Sequence, residues 1–288
     1  MSMKVFVYGT LRKGEKNAHH LSNVTCIHEN AWVYGTLYDT GRGYPAMFFD
    51  DSAEVSTEVY GEIYEVNEDV LKTIDELEGY TYNGSDNLYE RVTVSVYIDY
   101  AGIVDNVIAY VGGDDLQHIG EHIPLGDWKV HKYLQRPDYL YFAYGSCMDD
   151  ERLKEANVSQ YFMDFRKGIL NGYCMQFSKD TSDGGKADIV ECGDSLTEGI
   201  IYNVPMEAID YLYKREGVYS KSYRPAVITV MNGQKECESL TFIGLDKQPE
   251  TPPTERYANE IIRGGTGILS ESYIEKIKEK VAMLKTKM

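Results

Sequence analysis

The strongest constraint on this chain is that it is written twice. Near the start stands Val5-Phe6-Val7-Tyr8-Gly9-Thr10-Leu11, and in the middle Tyr141-Phe142-Ala143-Tyr144-Gly145-Ser146-Cys147-Met148. Both are short apolar runs of strand character that break at Gly and continue with a hydroxyl residue. Tyr8 and Tyr144 lie 136 residues apart. Residues 71–79 read L-K-T-I-D-E-L-E-G and residues 209–217 read I-D-Y-L-Y-K-R-E-G, so the pairs Glu78-Gly79 and Glu216-Gly217 are offset by 138. After each pair comes a Tyr and an Arg leading into a strand-like run, Tyr89-Glu90-Arg91-Val92-Thr93-Val94 and Tyr223-Arg224-Pro225-Ala226-Val227-Ile228. Three landmarks in one order at nearly one offset predict tandem domains. The 288 residues suit two cores. The join is placed near Arg136-Pro137-Asp138, giving domains over 1–137 and 138–288.

Within each unit, strand patterns occupy 58–66 and 91–100, then 196–204 and 226–231. One helix per unit is well signalled. In the first, Asn67 is placed to cap, Glu68 and Asp69 fall in the first turn, and Val70, Leu71, Ile74 and Leu77 make an apolar face that Gly79 stops. In the second, Pro205 opens the helix, Ile209 and Leu212 face inward, and Gly217 ends it. A terminal amphipathic helix is expected over 271–284, with Tyr273, Ile274, Ile277 and Val281 on one face. Few helices among many strands predict an α+β fold, not a doubly wound parallel sheet.

Composition narrows the function. Acidic residues outnumber basic ones 46 to 29, for a net charge of −17 and a pI near 4.8. Such a chain repels phosphate backbones and anionic lipid, which argues against nucleic-acid and membrane partners. No run approaches the roughly 18 apolar residues of a membrane span, and Val5 to Tyr8 is too short for a secretory core. Five cysteines, Cys26, Cys147, Cys174, Cys192 and Cys237, make an odd number without a C-x-x-C pair, which reads as free thiols in a reducing cytoplasm. Residues 1–137 carry a net −12 and residues 138–288 a net −5, and all six histidines lie in the first half.

Glu78 and Glu216 are the candidate acid/base groups. Each stands where a helix ends, beside outward-pointing carbonyls that disfavour an anion, so its pKa is expected to rise toward neutrality, the more so if buried. The turns Tyr8-Gly9-Thr10-Leu11 and Tyr144-Gly145-Ser146-Cys147 can aim backbone N–H groups at a carboxylate or a developing oxyanion. Other motifs read as structure. Cys147 has no histidine in its own half to activate it. His118 and His122 flank Glu121, but Gly120 and Pro124 argue against a zinc-binding helix, and these read as solvated loop histidines. Gly264-Gly265-Thr266-Gly267 lacks the Lys-Ser or Lys-Thr of a phosphate loop and reads as a plain loop. Asp149 and Asp150 are expected to cap a short helix.

Together these residues resemble the γ-glutamylcyclotransferase-like superfamily. The first half is similar to its γ-glutamylamine-cyclotransferase or avirulence-induced type, supported by Gly43-Tyr44-Pro45-Ala46-Met47 and Ile123-Pro124-Leu125-Gly126-Asp127-Trp128. The second half is similar to the larger γ-glutamylcyclotransferase type, with Gly172-Tyr173, Arg256-Tyr257 and Leu269-Ser270-Glu271-Ser272-Tyr273. The resemblance implies a small barrel-like mixed sheet in each domain and a reaction that releases 5-oxoproline and a free amine or amino acid from a γ-glutamyl small molecule. It implies no cofactor or metal. By the same resemblance Glu78 and Glu216 are the acid/base, and Tyr8, Gly9, Thr10, Leu11, Tyr144, Gly145, Ser146 and Cys147 bind the glutamyl head. Tyr89, Arg91 and Tyr223 would line the pocket or brace the turn, with Arg91 equally suited to a structural salt bridge. The second half departs from its type in placing Cys147 where Asn is usual, it has Tyr223-Arg224-Pro225 in place of the Tyr-x-Arg of the first half, and Lys214 and Arg215 beside Glu216 could offset the helix-end effect on its pKa. The reading from another class is a non-catalytic module that binds a small carboxylate or amino acid in the same pocket. An oligomeric state is not legible in the sequence.

Overall fold

The computed structural model describes residues 2–49, 57–117 and 120–286. It divides into two compact units, Met1–Lys132 and Tyr133–Met288. The first contains β1 (Met3–Val7), β2 (Thr25–Asp39), β3 (Pro45–Phe48), β4 (Thr57–Val66), α1 (Glu68–Leu77), β5 (Tyr89–Ile98), β6 (Gly102–Gly112) and β7 (Glu121–His122). A short helix, α2 (Trp128–Tyr133), spans the division. Strand order is β3-β2-β4-β1-β6-β5, and β5 returns to pair with β2 through Ala31↔Ile98 and Trp32↔Tyr97. Five strands therefore close into a barrel, filled by Phe6, Val33, Ile63, Val96, Val107 and Trp128. β1 runs antiparallel to β4 and parallel to β6, which puts its C-terminal turn at the rim of the barrel.

The second unit contains β8 (Tyr139–Ala143), α3 (Asp150–Glu155), β9 (Asp164–Lys179), β10 (Lys186–Val204), α4 (Met206–Arg215), β11 (Tyr223–Asn232), β12 (Lys235–Gly244), α5 (Glu255–Gly265) and α6 (Glu271–Thr286). Its barrel, β10-β8-β12-β11-β9, reproduces the cyclic order β4-β1-β6-β5-β2 of the first, including the one parallel pair, β12 with β8. The repeat extends to close contacts. A Cβ on Gly61 would fall 2.4 Å from the Val7 carbonyl oxygen, and one on Gly199 would fall 2.4 Å from that of Ala143. Only glycine lets these strands approach so closely.

Several elements differ from the sequence reading. The strand expected over 91–100 ends at Ile98, because Tyr100 and Ala101 turn the β5–β6 hairpin with φ of 59° and 56°. Such positions normally carry Asn or Gly, so this turn does not announce itself. Gly264 and Gly265 are the last turn of α5, not a loop. A Cβ on Gly264 would come within 2.5 Å of the Met148 backbone, so the glycine lets the helix seat on the second turn. Cys174 and Cys192 form a disulfide between β9 and β10, with Cα atoms 5.5 Å apart, which corrects the free-thiol expectation for that pair. Their proximity follows from a cross-strand register that shifts between Glu191 and Leu196. Cys26, Cys147 and Cys237 are not disulfide-bonded. His118 lies outside the described residues, while His122 sits in β7 against the Tyr38 ring. Among the described residues no helix is long and apolar enough to cross a membrane.

Candidate active site

The first unit holds a cavity of about 230 Å³ between the β1 turn, the start of β3, the end of α1 and β5. Tyr8, Gly9, Thr10, Leu11, Glu78 and Tyr89 all line it. The two tyrosines are fixed from behind. Tyr8 Oη donates to the Tyr110 carbonyl (2.8 Å) and accepts from the Met47 amide (3.2 Å), and Tyr89 Oη donates to the Pro45 carbonyl (2.6 Å). Burial raises both phenol pKa values far above the ordinary one, so both stay protonated. A Cβ on Gly9 would stand 2.8 Å from the Pro45 ring, so the turn can pass there only as glycine. Among the described residues, the N–H groups of Gly9, Thr10 and Leu11 have no acceptor. Three such donors at the wall of a cavity form a ready acceptor site for a carbonyl or carboxylate oxygen.

This turn is held by residues beyond the initial selection. Arg12 is buried and donates from Nε to Glu62 Oε1 (3.1 Å) and from Nη1 to Asp127 Oδ1 (2.8 Å). The Lys13 amide and the Tyr64 hydroxyl both donate to Glu62 Oε2, at 2.8 and 2.9 Å. Asn17 donates from Nδ2 to Thr10 Oγ1 (3.0 Å) and from its amide to the Thr10 carbonyl (2.9 Å). Arg12 directly follows the Tyr8-Gly9-Thr10-Leu11 turn in sequence, but its partners lie 50 and 115 residues away.

Glu78 is delivered by α1. Asn67 caps the helix by accepting from the Val70 amide (2.9 Å), Leu71 and Ile74 bury its inner face, and Gly79 leaves it with φ 63°. The Glu78 amide still donates to the Ile74 carbonyl, so the residue is fixed at the helix end. Its carboxylate receives no hydrogen bond from any described side chain, and burial alone pushes its pKa up to about 7. The rise expected from the helix end is thus supplied by burial. Arg91 does not line the cavity. Its Nη1 donates to Asp75 Oδ2 (2.8 Å), its guanidinium lies 4.8 Å from the Tyr80 ring centroid, and Tyr110 Oη donates to Asp75 Oδ1 (2.6 Å). These bonds tie α1 to β5 and β6 and hold Glu78 in register.

The second unit repeats the scaffold with different chemistry. Tyr144 Oη donates to the Phe242 carbonyl (2.5 Å) and Tyr223 Oη to the Ala187 carbonyl (2.9 Å), matching Tyr8 and Tyr89. Ser146, Glu216 and Tyr223 line a cleft of about 820 Å³, whereas Tyr144, Gly145 and Cys147 do not line it. Glu216 occupies the same helix-end position, but its Oε1 accepts from Cys147 Sγ (3.2 Å) and Arg215 Nε (3.3 Å). Arg215 also donates from Nη2 to Ser146 Oγ (3.1 Å). Burial pushes the Cys147 thiol up to about 11, which keeps it protonated and a poor nucleophile. Arg224 is buried with Nη1 directed at the Pro225 carbonyl. Asp149 caps α3 by position and spends its side chain on Arg263 of α5 (Oδ1 to Nε, 2.9 Å). Tyr257, whose hydroxyl accepts from the Ala187 amide (3.1 Å), completes the cleft from a helix without counterpart in the first unit.

Comparison with known proteins agrees with this architecture. A family model described as gamma-glutamyl cyclotransferase, AIG2-like matches residues 5–130, and one described as AIG2-like family matches residues 197–277. YkqA of Bacillus subtilis (strain 168) is 40% identical over 285 residues, covering 96% of this chain and 97% of that protein. The gamma-L-glutamyl-butirosin B gamma-glutamyl cyclotransferase of Niallia circulans is 43% identical over 93 residues, 32% of this chain and 56% of that protein. The crystal structure of YkqA superposes with a TM-score of 0.86 at 38% identity, covering 99% of each chain. With the barrel present twice and a relative matched from end to end, the chain belongs to the AIG2-like gamma-glutamylcyclotransferase family as a two-domain member.

Proposed function

We propose that the first domain releases 5-oxoproline from γ-glutamyl compounds with Glu78 as general base and then general acid. The observation that carries this reading is an unpaired, half-buried carboxylate of pKa about 7 lining one small cavity with three unsatisfied backbone N–H groups. Glu78 takes a proton from the substrate α-ammonium, and the freed amine attacks the γ-carbonyl carbon to form the ring C–N bond. The turn N–H groups hold the resulting oxyanion. The oxyanion then collapses, the exocyclic C–N bond breaks as the proton on Glu78 passes to the departing nitrogen, and the ring nitrogen loses its second proton to the freed amine, leaving a neutral lactam and an ammonium ion. Two protons leave the α-nitrogen, one of them by way of Glu78, which ends in its starting state, and no covalent enzyme intermediate forms. The cavity folds the substrate so that amine and carbonyl meet, which lowers the entropic part of the barrier.

The same chemistry is a poor fit to the second domain, where Arg215 and Cys147 already occupy the Glu216 oxygen. That arrangement favours the binding-module reading for this half: a site that keeps the scaffold and its hydrogen-bonding groups but no free base. The test is 5-oxoproline release, read by mass spectrometry, across γ-glutamyl amines, γ-glutamyl amino acids and a γ-glutamyl aminoglycoside. Native protein should turn over at least one of them, and Glu78→Gln should lower that rate by about 10²- to 10⁴-fold. Tight binding across the panel without any product would replace the enzyme by a small-carboxylate binder.

A further inference from the structure

The mouth of the first cavity carries a cation for which the catalytic scheme has no use. Lys16 lines the cavity, is exposed, and forms no ion pair among the described residues. Its Nζ lies 5.8 Å from the centroid of the Tyr44 ring and 3.7 Å from where a Cβ on Gly43 would stand, so it spans from the turn to the 40–44 loop. The second cleft supplies the contrast within one chain. Each of its lining cations, Arg152, Lys186, Arg215 and Arg256, is engaged by a carboxylate.

Position decides what Lys16 can meet. The reacting α-amine must reach Glu78, and the glutamyl head must lie along the Gly9–Leu11 amides. The γ-amide nitrogen and everything attached to it then points outward, past Tyr44 toward the opening. We propose that Lys16 selects γ-glutamyl compounds whose departing amine bears a carboxylate, meaning γ-glutamyl amino acids and peptides, over those that release a neutral or cationic amine. This rests on the reaction assigned to the first domain for the orientation of the substrate, and on Lys16 alone for the preference. A cation at the mouth also raises the local concentration of an anionic substrate that the acidic surface would otherwise repel.

The test separates the two ideas by reading binding where turnover is blocked. In the full-length Glu78→Gln protein, calorimetry compares γ-glutamylalanine, γ-glutamylethylamide and γ-glutamylputrescine, with and without Lys16→Glu. Lys16 should favour γ-glutamylalanine over the ethylamide by about fivefold, as expected for one partly solvated charge pair. Lys16→Glu should invert the order so that the putrescine compound binds best, Lys16→Arg should keep the native order, and added salt should shrink the preference. Equal weakening of all three ligands by Lys16→Glu would overturn the inference, since it would place the lysine on the shared glutamyl head. An unchanged order, or no binding of any ligand, would overturn it as well. In the Glu78-containing protein, kcat/KM for the three compounds reports the reaction itself. Loss of turnover there with the binding order intact would remove the catalytic reading and leave the recognition role standing.

Discussion

At the scale of the residue, the two helix-end glutamates differ by what touches them. Glu78 has burial without a donor, whereas Glu216 has Arg215 and Cys147. A base whose pKa lies near 7 predicts that kcat/KM in the first domain falls as pH drops below about 7, through a limb absent from any residual activity of Glu78→Gln. The same group makes a stability prediction. Its folded pKa is raised above its ordinary 4.5, so its neutral form favours the fold below pH 4.5, and that contribution is lost as pH climbs toward 7. Glu78→Gln should therefore stabilise the protein at pH 8, on the order of 2 kcal/mol, with the gain shrinking toward pH 4.5. Denaturant titrations of both proteins at the two pH values check this. Glu78 was legible in the sequence because its neighbour Gly79 and its repeat partner mark the helix end. The pairing of Glu216 was only partly so: Arg215 was in view beside it, but contact with Cys147 depends on a turn 69 residues away.

At the scale of the element, the β1 turn is as good as the buried ions that hold it. Arg12 compensates both Glu62 and Asp127. Removing it leaves two carboxylates buried without their cation, so Arg12→Ala should cost about 3–5 kcal/mol, measured as loss of stability in urea. Asp75 acts more gently, bridging α1 to Arg91 and Tyr110. Asp75→Asn should lower kcat more than it raises KM, since it loosens Glu78 while leaving the turn amides in place; steady-state kinetics separates the two effects. Local periodicity announced α1 and α4 well, because capping and an apolar stripe are short-range signals. It did not announce the β5–β6 hairpin, whose turn uses Tyr100 and Ala101, nor α5, whose Gly264-Gly265 ending is explained only by the Met148 backbone against it. The Cys174–Cys192 bond was hidden for the same reason, since it needs a cross-strand register and not a spacing.

At the scale of the whole molecule, one barrel has been used twice and tuned apart. The cyclic strand order, the parallel pair, the glycine contacts of Gly61 and Gly199, and the tyrosine anchors recur in both units. Repetition made the tandem α+β organisation readable from the chain alone, because the same landmarks return in order. What set the domains apart was not readable in the same way. The first keeps a small cavity with an unpaired carboxylate, and the second has a wider, ion-paired cleft lined in part by the added helix α5. These differences are made by contacts between distant segments, so they emerge only once the barrel is closed.

The division of labour between the two glutamates is the central claim. Its most direct measurement is the initial rate of 5-oxoproline release by Glu78→Gln and Glu216→Gln, each confirmed folded, on whichever γ-glutamyl compound the native protein turns over fastest. The account predicts that Glu78→Gln falls by about 10²-fold or more while Glu216→Gln keeps most of the native rate. A protein that survives Glu78→Gln and is silenced by Glu216→Gln would contradict it.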